Sequence, residues 1–202
     1  MKTQVITTET IAKAMTYETY RSFIKERLAN NQSTGTNHSE SMVGYTTLNE
    51  RRMKRLDKTT KLTSETLTAL ANIERPQIWL VVTEGWCGDA AQTVPVMVKM
   101  AAQSPNVILK LILRDENLDI MDEFLTNGGR SIPKLIVLDK ETLEVLGDWG
   151  PRPEAAQKLF WEAKARPDFN YPQIQKDLQI WYTKDKSLST QKELVELIEK
   201  TY

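Results

Sequence analysis

The strongest constraint on the fold is a short apolar run that leads directly into the turn carrying the only cysteine of the chain. The run, residues 78–82 (IWLVV), is bounded by Pro76 and Gly85, which predicts a buried strand. Residues 90–102 then have helical spacing, so Cys87 stands at the N-terminal end of a helix. The helix dipole and the free N–H groups at such a position favour the thiolate, which is the nucleophilic form of cysteine. The sequence therefore predicts a strand–helix junction with a candidate reactive thiol.

Further apolar segments predict the rest of a mixed sheet. Residues 107–113 (VILKLIL) indicate a second buried strand, and residues 134–139 and 143–149 indicate a hairpin. Helices are predicted over 118–126, ahead of an Asn-Gly-Gly stop, and over 153–166. A strand–helix–strand unit with short links gives a parallel strand pair, and the hairpin adds an antiparallel pair. We therefore expect an α/β fold with a mixed β-sheet and flanking helices.

The regions on either side of this core also have helical spacing. Residues 1–73 predict a helical N-terminal extension, with a helix over about 9–29 and a polar loop over 30–41. Residues 167–202 predict a C-terminal helical extension packed on the same domain. The predicted division is thus an N-terminal extension, a central domain over 74–166 and a C-terminal extension.

Two helix starts carry capping signals. Thr63 and Ser64 precede the apolar residues of a short helix. Thr190-x-x-Glu193 has the pattern of a capping box ahead of Leu194, which predicts that the last helix begins there.

Composition argues against several classes of function. Lys plus Arg and Asp plus Glu both number 27, so the net charge is zero and no overall field would attract nucleic acid or an anionic membrane. No apolar stretch reaches the ~20 residues of a spanning helix, and the N-terminus does not resemble a signal peptide. Cys87 and the single histidine, His38, cannot form a usual zinc or iron–sulfur site, so no metal is predicted. One cysteine also fits a reducing compartment, and we expect a cytoplasmic protein.

Three motifs resemble the thioredoxin superfamily, and they occur in the thioredoxin order. Residues 78–90 (IWLVVTEGWCGDA) resemble the segment in which an aromatic-Cys-x-x-Cys run opens the second helix. Pro95, eight residues after Cys87, matches the proline that kinks that helix. Residues 131–133 (SIP), followed by a strand, match the loop whose proline is cis and packs beside the reactive sulfur. The resemblance implies a thioredoxin-like fold over 74–166, and the longer motifs are similar to an uncharacterised bacterial thioredoxin-like family with a single-cysteine W-C-G-D-A motif.

Two positions depart from the thioredoxin pattern. Ala90 stands where thioredoxins have the resolving cysteine, and Val81 stands where many of them bury an acid. A methyl group cannot attack a mixed disulfide, so Cys87 cannot complete an intramolecular dithiol cycle. Any disulfide that Cys87 forms must be released by an external thiol.

Two main functions follow from the resemblance and these departures. The first is monothiol thiol–disulfide exchange through Cys87, with protein or peptide thiols and disulfides as partners. It needs no cofactor, although a low-molecular-weight thiol such as glutathione could serve as co-substrate. The second is a non-catalytic thioredoxin-like module that binds a protein or peptide. A weaker third is a peroxide-sensing Cys87 that oxidises to sulfenic acid.

The resemblance also implies roles around Cys87, which we expect to be partly exposed and reactive. Asp89 lies two residues from the thiol, where its charge would raise the pKa of Cys87. Arg130 precedes the proline loop and would offset that charge if the loop faces Cys87. The residues expected to contact substrate are Trp86, Ile132 and Pro133.

Other charged and aromatic residues near the motifs have structural interpretations. Trp149 and Arg152 follow the last predicted strand and are interpreted as part of a turn. The acids Glu84, Asp89 and Asp115 do not form a spaced pair for acid–base hydrolysis. We expect these three side chains to be solvated or ion-paired.

Overall fold

The computed structural model describes residues 5–201. Its strands are β1 (Gln77–Thr83), β2 (Val107–Leu113), β3 (Lys134–Asp139) and β4 (Val145–Trp149). Its helices are α1 (Thr8–Lys13), α2 (Tyr17–Ala29), α3 (Glu40–Thr59), α4 (Ser64–Ala71), α5 (Ala90–Ala101), α6 (Leu118–Glu123), α7 (Glu154–Lys164), α8 (Tyr171–Asp185) and α9 (Leu188–Lys200). The elements of the central region occur in the order that the sequence predicts.

The strands form a mixed sheet in the order β2-β1-β3-β4. β1 pairs in parallel with β2 across the α5 crossover, and β3 pairs antiparallel with both β1 and β4. Every residue of β1 is buried, which explains its nearly unbroken apolar sequence, since both of its faces are covered. The predicted α/β fold with a mixed sheet and flanking helices is confirmed.

Helices from both ends of the chain share the core of the sheet. α3 packs on α5, and α9 packs on α4 and β4. Ile24 of α2, Met53 of α3 and Leu194 of α9 are buried in the same apolar cluster as the strands. α7 and α8 pack against each other around a second, smaller cluster that includes Ile174 and Leu178.

The N-terminal helix predicted over 9–29 is interrupted, and α1 and α2 are separate helices. Met15 leaves the helix and pairs with Leu111 of β2 through two backbone hydrogen bonds of 2.8 and 2.9 Å. Thr16 then caps α2 by accepting the N–H of Thr19. Helical spacing along the segment could not reveal this break, because the competing partner lies in a distant strand.

α6 is shorter than the sequence predicts. It ends at Glu123 instead of continuing to residue 126. Thr126 and Gly129 then exchange two backbone hydrogen bonds of 3.0 Å in a tight turn. The Asn-Gly-Gly stop belongs to this turn, in which Asn127 and Gly128 adopt positive φ angles.

The predicted capping box of the last helix is wrong. α9 begins at Leu188, so Thr190 lies inside the helix and is buried. The Glu193 side chain accepts hydrogen bonds from Trp149 Nε1 at 2.7 Å and from the backbone N–H of Glu154 at 2.8 Å. These tertiary contacts join α9 to β4 and α7, and a local sequence pattern carries no information about them.

Candidate functional site

Cys87 lies at the turn between β1 and α5, as the sequence predicts, but its thiol is buried. The S–H donates to the backbone carbonyl of Ile132 at 3.2 Å, and Sγ accepts the N–H of Ala90 at 3.4 Å. Only 7% of Cys87 is exposed. The expectation of a partly exposed thiol is therefore wrong, because the loop that contains Ile132 lies against the sulfur.

This environment raises the pKa of Cys87 to about 12. Burial is the main cause, and the nearby Asp89 carboxylate adds to it, since both disfavour the thiolate. The N–H groups of Ala90 and Asp89 and the charge of Arg152 lower the pKa, but their effect is smaller. The thiol is therefore protonated at neutral pH, in contrast to the thiolate expected from its place at a helix start.

The loop that precedes β3 lies beside Cys87, as the resemblance implies. The Ile132–Pro133 peptide bond is cis. Both residues are buried, and the carbonyl oxygen of Ile132 already accepts the Cys87 thiol. The Ile132 carbonyl is thus occupied by the thiol, and the role of both residues in substrate binding stays a prediction.

Trp86 is half-buried beside the same turn. The guanidinium of Arg114 lies over its indole ring, 4.7 Å from the ring centroid. Asp115 in turn forms an ion pair with Arg114 at 2.7 Å, as expected for this acid. Trp86 is thus held in a fixed orientation, and its role in substrate contact stays a prediction.

Asp89 is the centre of a buried polar cluster. Its Oδ2 accepts two hydrogen bonds from Arg152, one from Nε at 3.0 Å and one from Nη2 at 2.6 Å, and its Oδ1 accepts the O–H of Tyr182 at 2.8 Å. Arg152 also lies over the ring of Phe160, 4.6 Å from the ring centroid. Because Phe160 belongs to α7 and Tyr182 to α8, this cluster fastens both helices to the Cys87 turn.

The cation that offsets Asp89 is Arg152, and not Arg130 as expected. Arg130 donates two hydrogen bonds of 2.6 and 2.8 Å to Asp122 instead. Both side chains of this second pair are 47% exposed. The charge that lowers the pKa of Cys87 comes from Arg152, a residue that the sequence placed only in a structural turn.

Glu84 precedes the turn and is fully buried, so the expectation of a solvated or ion-paired acid is wrong. Its Oε1 accepts the N–H of Asp115 at 3.0 Å, and within residues 5–201 its Oε2 has no hydrogen-bond partner. Burial raises the pKa of Glu84 to about 7, although the nearby Thr34 hydroxyl and the Asp115 N–H favour the ionised form. The carboxyl group is therefore half-protonated near neutral pH.

We expect Glu84 to make the folded protein less stable as the pH rises, by up to about 3 kcal/mol. The folded state keeps the proton to about pH 7, whereas the unfolded chain loses it near pH 4.5. The contribution is complete below pH 4.5 and is lost as the pH rises through 7. Urea unfolding across this range measures it, and Glu84→Gln should flatten the slope while the exposed Glu74→Gln should not. Equal slopes in wild type and Glu84→Gln would contradict the prediction.

A cleft of about 740 Å³ opens above Cys87. It is bounded by the turn 86–89, by the loops 126–132 and 151–152, and by side chains of α3, α7 and α8. Its volume is within the usual range for small-molecule sites, roughly 300–1,000 Å³. Because α3 and α8 lie outside residues 74–166, the helices added to the core build much of its wall.

Several exposed apolar side chains line this cleft. Tyr45 and Leu48 of α3, Trp161 of α7, and Tyr171 and Ile180 of α8 all line it, and each is more than a third exposed. Single exposed apolar residues are normal on a protein surface, but a contiguous set marks a ligand-binding groove or an interface. The concave surface over Cys87 is therefore the candidate functional site.

Two other kinds of site find no support in the described part of the chain. Within residues 5–201, no group of three or more His, Cys, Asp or Glu side chains is placed to hold a metal ion. None of the helices in the same range is both long and apolar enough to cross a lipid bilayer.

A family model described as thioredoxin matches the sequence of this chain. It matches residues 35–166, which is more than half of the chain. The chain belongs to the thioredoxin family. The match includes α3 as well as the sheet and the Cys87 turn, so one wall of the cleft lies within the matched region.

Two solved structures share the fold of this thioredoxin-family protein. A protein of unknown function from Pseudomonas aeruginosa aligns with 95% of this chain and 96% of its own, with a TM-score of 0.62 and 20% identity. An HIV epitope-scaffold aligns with 87% of this chain and 96% of its own, with a TM-score of 0.53 and 22% identity. No curated protein matches the chain. At these identities the likeness concerns the fold alone.

Three residues at the site of this thioredoxin-family protein have no clear signal in the sequence. Tyr182 and Arg52 lie in helices of mixed polar and apolar character, where neither residue stands out. Arg152 follows the end of β4 near the sheet edge, as predicted, but it was interpreted only as part of a structural turn. Its pairing with Asp89 depends on how the intervening loops fold, which the order of residues does not reveal.

Proposed function

We propose that this thioredoxin-family protein is a non-catalytic binding module whose cleft above Cys87 holds a small organic molecule. The observation that carries the proposal is the buried thiol at the base of the cleft, whose S–H donates to Ile132. With a pKa of about 12, the thiol is almost entirely protonated at pH 7. Because the thiolate is the attacking form, thiol exchange through this group would be slow.

The close approach of α3 and α8 to the turn supports a compact ligand over a protein disulfide. A Cβ on Gly88 would lie 3.3 Å from Gln179 Nε2 and 3.7 Å from Arg52 Nη1. Gln179 is held there by Gln92, which donates to its Oε1 at 2.6 Å. An extended polypeptide would have to pass both helices to reach Cys87, whereas a small molecule fits between them.

Native Cys87 is expected to react slowly with iodoacetamide up to about pH 10, because the thiolate is scarce below its pKa. The alkylation rate, followed by mass spectrometry across pH, should rise towards a midpoint near the pKa of about 12. The same thiol should label rapidly at neutral pH in concentrated guanidinium chloride, which controls for prior oxidation. A native midpoint below the ordinary ~8.5 would contradict the binding-module proposal.

Monothiol thiol–disulfide exchange is the second candidate, because Cys87 borders the cleft and its sulfur accepts the Ala90 N–H, a contact that favours the thiolate. Cys87 would attack a protein or peptide disulfide, form a mixed disulfide and release one thiolate. Glutathione would then displace Cys87 and take over the disulfide, a cycle suited to a reducing compartment such as the cytoplasm. Turnover of a glutathione mixed disulfide that is lost in Cys87→Ser would favour this candidate.

A further inference from the structure

The lining of the cleft carries positive charge that nothing in the described chain neutralises. Arg52, Lys164 and Lys176 line the cleft, and within residues 5–201 none of them forms an ion pair. The carboxylate of the lining, Asp89, is already paired with Arg152 at 2.6 Å. The whole chain has no net charge, so this local excess is a property of the cleft.

Arg52 is held in a defined position at the base of the cleft. Its Nη1 donates to Asn49 Oδ1 at 2.8 Å, and Asn49 Nδ2 donates to the carbonyl of Gly85 at 3.0 Å. Asn49 is fully buried, so this relay ties the guanidinium to the turn that carries Cys87. Within residues 5–201 the other N–H groups of Arg52 have no hydrogen-bond acceptor, so they can bind a partner from outside the chain.

The surroundings of Arg52 make such a partner favourable. Burial and the charge of Arg55 lower the pKa of Arg52, and no carboxylate in the described chain compensates for them. A guanidinium binds carboxylate, sulfonate or phosphate groups through charge-assisted hydrogen bonds, which are strong where water is partly excluded.

We propose that the cleft binds an organic anion with an aromatic or branched apolar body, its anionic group on Arg52. This inference rests on the function proposed above and names the class of ligand. The apolar body lies against the exposed side chains of the rim, such as Leu48, Trp161 and Ile180, while Lys164 and Lys176 add attraction at the mouth. A cleft that combines positive charge with apolar surface thus favours a ligand that has both an anionic group and an apolar body.

A pair of fluorescent probes of nearly equal shape tests the charge requirement. The anionic probe is anilinonaphthalene sulfonate, and the neutral probe is N-phenyl-1-naphthylamine. Arg52→Gln is expected to weaken binding of the anionic probe about tenfold and to change binding of the neutral probe less than about twofold. Arg51→Gln, which removes the same charge from an exposed neighbouring position, should change neither, and Arg52→Lys should retain part of the affinity. Near-UV circular dichroism checks that each variant keeps its packing.

A second variant pair locates the probes. Ile180 lines the cleft and Leu188 does not, although both are 53% exposed. Ile180→Ser should weaken both probes, and Leu188→Ser should weaken neither.

The possible outcomes separate this inference from the proposed function. Selective loss of the anionic probe in Arg52→Gln supports the inference. Equal effects on the two probes, or no effect on either, overturn the Arg52 site and leave a binding cleft in place. If neither probe binds the wild-type protein, the cleft is not the binding site and this inference is wrong. The same conclusion follows if Ile180→Ser leaves binding of the probes unchanged.

Discussion

Replacing Asp89 by asparagine is expected to lower the free energy of unfolding by about 3–5 kcal/mol. The side chains of Arg152 and Asp89 are only 12% and 11% exposed. Asparagine keeps the shape of the side chain but removes its charge, so the Arg152 guanidinium stays buried without a counter-ion. The O–H of Tyr182 loses its charged acceptor at the same time. Urea unfolding of the variant against wild type measures the loss.

The matched control is a second Arg–Asp pair in the same protein. Arg130 and Asp122 also form two hydrogen bonds, but both side chains are 47% exposed. Asp122→Asn is therefore expected to lower the free energy of unfolding far less than Asp89→Asn does, because a solvated ion pair contributes little to stability. Similar losses in the two variants would contradict the argument that burial of the Asp89 pair makes its rupture costly.

The parts of the site that could be predicted are those with local signals. The apolar run of β1, the turn with Cys87 and the helical spacing of α5 lie next to one another in the chain, and each element forms where it was expected. The state of the thiol was predicted incorrectly because it depends on Ile132, whose carbonyl accepts the S–H from a loop far along the chain. A helix dipole acts through the backbone of α5 alone, but burial is set by everything that packs above it.

The ion-pair partner of Asp89 was also predicted incorrectly, because it depends on contacts between distant parts of the chain. Arg130 was the nearer candidate because it precedes the loop that faces Cys87. Its side chain instead reaches back to Asp122 of α6, and Arg152 supplies the charge after β4 has returned the chain to the same edge of the sheet. A long charged side chain can reach several possible partners. The order of residues along the chain therefore does not determine which ion pair forms.

Gly150→Ala is expected to be the most damaging single-methyl change near the site, with a loss of about 3–5 kcal/mol. Gly150 has a φ of +121°, a conformation that residues with a side chain rarely adopt. A Cβ at this position would overlap the backbone carbonyl oxygen of Pro133 and would approach Lys134 Cα to 3.4 Å. Because these are backbone atoms, no side-chain rotation can relieve the clash, and the loop itself must move.

Gly44→Ala provides the opposite control. Gly44 lies within α3, and a Cβ there would meet nothing within 4 Å. The substitution is therefore expected to stabilise the protein by about 0.5–1 kcal/mol through helix propensity. Urea unfolding compares the two variants, and a Gly150→Ala protein as stable as wild type would contradict the close approach of the two loops.

The position of Gly150 also connects stability to the candidate site. Pro133 follows Ile132, so a displaced Pro133 carbonyl moves the group that accepts the Cys87 thiol. Native Gly150→Ala protein should therefore alkylate faster at Cys87 than wild type under conditions in which both remain folded. Gly44→Ala should leave the rate unchanged, because α3 gains stability without any shift of that loop. Faster labelling in Gly150→Ala alone would mean that the protonated state of the thiol depends on the loop above it, and not on the turn in which the cysteine stands.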